Sequence, residues 1–109
     1  MSDLLLIPEH LRRQSISDNE IIVPLAAALE VIDFLERREI PIAGWEGWIR
    51  TANGSTGHAS CQGTTSLDGL SVHEAAQFCR RTLLIDAAEW AKENPDTTNE
   101  LHFCITLAL

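Results

Sequence analysis

The last ten residues, ELHFCITLAL, constrain the fold of this chain more than any other stretch. Successive side chains of a strand point to opposite faces. Leu101, Phe103, Ile105, Leu107 and Leu109 therefore share one face, and His102, Cys104, Thr106 and Ala108 the other. Glu100 at the start is the one charged residue of the stretch. A strand that is largely apolar on both sides has to be covered on both, which points to a central or well-covered place in a sheet.

The remaining elements follow from local signals. Residues 24–39, PLAAALEVIDFLERRE, have helical period, with Leu25, Ala28, Leu29, Ile32 and Leu35 on one stripe and Glu30, Asp33 and Arg37 on the polar side. Ser17 and Glu20 have capping-box spacing, but a helix starting there would put Pro24 in its second turn. The helix is therefore placed from Pro24, a good first-turn residue, and ends before Pro41. Residues 40–62 read as a hairpin about Asn53-Gly54, a two-residue turn that would set Arg50 opposite Gly57, Ile49 opposite His58 and Trp48 opposite Ala59. Ser71 and Glu74 form a second capping box, opening a helix over 71–93 whose stripe holds Val72, Ala76, Cys79, Leu83 and Trp90. Residues 1–20 read as a loop or short helical turn packed by Leu4, Leu5 and Ile7, residues 63–69 as a polar loop, and 100–109 as the final strand.

The order is α-β-β-α-β over one domain, 1–109. The expected fold is an α+β two-layer sandwich, with an antiparallel sheet of three or four strands and two main helices on one face. The opening MSDLLLIPEH lacks the basic region of a signal peptide, and no apolar run approaches the roughly 20 residues of a membrane span. Three scattered cysteines suit a reducing compartment, and the expectation is a cytoplasmic protein.

Sixteen acids against eight bases give a net charge of −8. Such a surface repels phosphate backbones, so direct nucleic-acid binding is disfavoured, and it speeds the approach of basic partners. No catalytic set emerges. His58 and Cys61 lie three apart on a strand, hence on opposite faces, and Cys79 falls on an apolar helix stripe. His102 and Cys104 share a strand face that Cys61 or His58 could approach from a neighbouring strand. A small metal or ligand site there, or an enzyme built on it, is the alternative reading, although no CxxC or HExxH spacing is present. The expectation is a chain that is not an enzyme and holds no cofactor.

Residues 44–62, GWEGWIRTANGSTGHASCQ, carry two tryptophans three positions apart. Strand parity puts Trp45 with Ile49, under a helix, and Trp48 with Glu46 and Arg50 on the wetter, open face. Tryptophan and arginine dominate interface energetics, so this second group has hot-spot composition.

The GWEGWI segment, followed by a polar turn, GH and then QGT, resembles a family of small immunity proteins of bacterial polymorphic-toxin and contact-dependent growth inhibition systems. The resemblance spans residues 25–65 and, more loosely, the helix bearing Cys79 and Arg80. Residues 1–20 and the last strand lie outside it. It implies a protein that binds and neutralises the C-terminal domain of a cognate toxin, often a nuclease with a basic surface. Trp45, Glu46 and Trp48 are the motif positions. The candidate contacts are Glu46, Trp48, Arg50 and the loop acid Asp68. A motif shared among relatives is a poor store of specificity, which leaves variable acidic loops as another seat of recognition. A third reading is a structural adaptor or homodimer paired through the exposed edge of the hairpin.

Overall fold

The computed structural model describes residues 3–54, 56–58, 67 and 69–109. After a 3-10 turn (Asp3–Leu6) come α1 (Glu9–Arg12), β1 (Ile21–Pro24), α2 (Leu25–Arg37), β2 (Ile42–Arg50), β3 (Thr56–His58), α3 (Val72–Glu93) and β4 (Glu100–Leu107). The strands form one antiparallel sheet in the order β1-β4-β2-β3. The fold is α+β, and β4, apolar on both faces, lies inside the sheet between β1 and β2.

The odd-numbered face of β4 builds the core. Phe103 and Ile105 stand opposite Val23 and Ile21 of β1, and opposite Gly47 and Trp45 of β2. Trp45 is 1% exposed and meets the Phe103 ring edge-on, with centroids 5.5 Å apart at 71°. Its indole Nε1 donates to Thr82 Oγ1 at 3.0 Å, and that hydroxyl donates to the Phe78 carbonyl at 2.9 Å. The buried indole is thereby satisfied, as a polar group in an apolar core must be. Helix α2 covers this face with Ala27, Ala28, Val31, Ile32 and Leu35, and α3 with Ala76, Cys79 and Leu83. Leu4, Ile7 and Leu11 of the N-terminal segment close the same cluster. An ion cluster ties the helices together outside it: Arg80 on α3 reaches Asp33 (2.6 Å) and Glu36 (2.7 Å) on α2, and His73 lies 3.1 Å from Glu36. Glu36 is thus a bridge between helices rather than plain solvated surface. Hydrogen bonds from Arg80 and then His73 hold its carboxyl below the ordinary 4.5.

The capping signals at 17–20 and 71–74 had different outcomes. At Ser71 both halves of the box form: the Glu74 amide donates to Ser71 Oγ, and the Ser71 amide donates to Glu74 Oε1. At Ser17 the hydroxyl accepts from the Glu20 amide at 3.0 Å, yet no helix follows. Ser15 Oγ donates to the Glu20 carbonyl and accepts from the Ile22 amide, turning the chain into β1. The run Ile21, Ile22, Val23 is β-branched and pairs with β4, so the observed order begins with a strand ahead of α2, and Pro24 ends that strand as the N-cap of α2.

The hairpin also differs from its expected register. Trp48 lies opposite His58, Ile49 opposite Gly57 and Arg50 opposite Thr56, one residue from the two-residue-loop pairing. Beyond Arg50 the chain turns with the Gly54 amide donating to the Thr51 carbonyl. Gly54 takes a positive φ there (+88°) and Asn53 does not, whereas the expected I′ turn needs positive φ at both. Leu5, expected to pack, is 60% exposed, and Leu11 is buried in its place.

Helix α2 ends in a Schellman motif: the Ile40 amide donates to the Leu35 carbonyl (2.9 Å) and the Glu39 amide to the Glu36 carbonyl (3.1 Å). The left-handed residue this motif needs is Glu39, at φ +55°, where glycine is the unstrained choice. Glu39→Gly should stabilise the protein by about 1 kcal/mol in urea titrations. Phe103→Ala should destabilise it by about 3–5 kcal/mol in the same measurement, because it removes both the ring and its packing against Trp45.

Candidate functional site

The even-numbered face of the sheet carries the side chains singled out from the sequence. Residues aligned across the strands form rows. Ile22, Cys104 and Glu46 make one row. Pro24, His102 and Trp48 make the next, and the backbone of His58 extends it on β3. Glu100, Arg50 and Thr56 make the third. A register shift between Ile42 and Gly44 absorbs a bulge at the start of β2, so the parity of residues 45–50 is undisturbed. Glu46, Trp48 and Arg50 accordingly share this face, with Trp48 between two charged residues along the strand.

The face is drier than β2 alone suggests. Ile22, Cys104 and His102 are all buried, and Trp48 and Glu46 are half-buried. The rim is wet: Glu20, Arg50, Thr56, Glu100 and Thr106 are exposed. Parity sorted the side chains of β2 correctly, but the cross-strand neighbours decide burial, and β1 and β4 contribute apolar or neutral ones.

His102 is 4% exposed. Burial pushes its imidazole below the ordinary 6.5, against the pull of the Glu100 backbone and carboxylate. The Glu100 backbone lies close enough to favour the proton, but Nδ1 makes no contact of hydrogen-bond geometry among the described residues. Cys104 Sγ lies 3.8 Å from Glu20 Oε2. Burial, reinforced by the Glu20 and Glu46 charges, pushes its thiol up to about 12. Burial raises the Cys79 thiol to about 11. At neutral pH both stay protonated and make poor nucleophiles.

Three of the four candidate contacts are therefore brought together, Glu46, Trp48 and Arg50. Asp68 lies outside the described residues. Of the alternative His and Cys group, His102 and Cys104 do share the face, while Cys61 lies outside the described residues. His58 is two strands from His102, a backbone separation of roughly 10 Å. Among the described residues, no three His, Cys, Asp or Glu side chains are placed to hold a metal ion. What sequence reasoning missed on this face is β1, with Ile22 in a row beside Cys104 and Glu20 just ahead of it. The β-branched run before Pro24 was the available signal.

No described helix is long and apolar enough to cross a membrane. No family model matches the chain, and no curated protein or solved structure matches it.

A histidine buried with a lowered pKa binds fewer protons in the folded chain than in the unfolded one. Its stabilising effect is complete above 6.5 and is lost as pH falls below that value. Unfolding free energy should therefore decline as pH drops below 6.5, and His102→Gln should flatten that slope in urea titrations across pH. Iodoacetamide at pH 8 should leave Cys79 and Cys104 unmodified in the folded protein and label both in urea, read by peptide mass mapping.

Proposed function

We propose that this chain is an inhibitor protein that binds a cognate bacterial toxin domain and neutralises it, as the immunity proteins resembled by its GWEGW segment do. The observation that carries the reading is the alignment of Glu46, Trp48 and Arg50 on one face of β2, with Trp45 locked into the core from the other. The strand is a rigid mount. Its inward tryptophan is held by Phe103 and Thr82, which anchors the backbone that carries Trp48.

The net charge of −8 supports a basic partner surface such as a nuclease presents to its substrate. Blocking then needs no chemistry from the inhibitor. It needs a stable interface, which typically buries about 1,200–2,000 Å² in total.

The test is complex formation with the product of the adjacent reading frame, by co-expression rescue and calorimetry. The absence of both rescue and a complex with that product would remove the reading. If the complex forms, Trp48→Ala should weaken it by about 2 kcal/mol or more, and Glu46→Gln should slow association and reduce its salt dependence.

A further inference from the structure

The two halves of α3 are built differently. Every buried side chain of the helix, Ala75, Ala76, Cys79 and Leu83, lies in its first twelve residues. From 84 to 93 no side chain is buried. Leu84 and Ile85 are 43% and 53% exposed, and Ala88 and Ala91 follow on the same outer stripe at helical spacing. Beside that stripe runs a second line, Asp86, Glu89 and Glu93, at i, i+3 and i+7.

These acids work against the helix. They occupy its C-terminal half, where the macrodipole is negative, and they are neighbours of like charge. Burial, then the Glu89 charge, raises the Asp86 carboxyl above its ordinary value. No ion pair within 4 Å involves any of the three among the described residues. Residues 82–100 hold five acids against Lys92, four of the chain's eight net negative charges. A surface helix that exposes leucine and isoleucine beside uncompensated acids is not arranged for stability.

We propose that the outer face of α3 over residues 84–93 is a docking surface for a basic amphipathic helix of a partner protein. The exposed stripe supplies the apolar half of the contact, Leu84 and Ile85 projecting and Ala88 and Ala91 admitting a helix backbone. The acid line sets the sign of the partner, since Lys or Arg beside its apolar stripe would meet Asp86, Glu89 and Glu93. The biological role of this surface rests on the inhibitor reading. It also gives recognition a seat away from the GWEGW strand, whose inward Trp45 the fold itself consumes.

The test uses the full chain and a synthetic peptide of leucine and lysine patterned as an amphipathic helix, with an all-lysine peptide as control, followed by amide shifts in NMR. The amphipathic peptide should shift residues 84–96 first. Leu84→Ser with Ile85→Ser should weaken its binding at least tenfold, as should Glu89→Gln with Glu93→Gln. Both pairs lie at exposed positions, so thermal unfolding should be little changed. Equal binding of the all-lysine peptide, shifts centred elsewhere, unchanged affinity in either variant, or no binding would each overturn the proposal. The peptide test does not involve the toxin. A peptide seated on α3 with no toxin complex keeps this surface and removes the inhibitor reading, and a toxin complex with no peptide on α3 does the reverse.

Discussion

The fold depends on one strand being closed from four directions. β4 hydrogen-bonds β1 along one edge and β2 along the other. It packs Phe103 and Ile105 beneath the helices and keeps His102 and Cys104 buried on the opposite face. Its partners come from distant parts of the chain, Ile21 pairing with Ile105 and Trp45 with the same residue from the other side. Such pairing is rewarded only after long loops have closed. The capped helix α3 and the 51–54 turn are local and need no such closure. The sheet is complete only when the end of the chain enters its middle.

Burial within β2 shows how structure and presentation divide a short segment. Trp45 goes inward and is satisfied by Thr82 on α3; Trp48 goes outward between Glu46 and Arg50. Three positions along a strand put the two indoles on opposite faces, and no helical arrangement of the same residues would. The same division appears at larger scale along α3. Its first half supplies every buried side chain of the helix, and its second half leaves Leu84, Ile85, Glu89 and Glu93 exposed.

Charge divides the same way. Asp33 and Glu36 meet Arg80 and join two helices. Glu74 completes a cap at a helix N-terminus, where a carboxylate is welcome. Among the described residues Asp86, Glu89 and Glu93 have no comparable partner, and they lie toward the end of the helix where a carboxylate is unwelcome. The excess negative charge is therefore a property of particular places, and half of it falls within residues 82–100.

The helices, the complete cap at Ser71, the parity of the two tryptophans and the central place of the last strand were all legible in the sequence. Each is a periodic or local signal, set by backbone geometry within a few residues. That Glu46, Trp48 and Arg50 share one face of β2 was legible for the same reason. The strand before Pro24 was not, because a four-residue run acquires its identity from its partner, and that partner, β4, lies at the other end of the chain. The hairpin register escaped for a related reason: a Gly at positive φ fits more than one turn, and pairing with β4 fixes β2 before the turn is chosen. Burial on the second face was decided by the fold alone. Whether a half-polar strand face is wet or dry depends on what stands one strand away, and that is a distance in space that no spacing along the chain encodes.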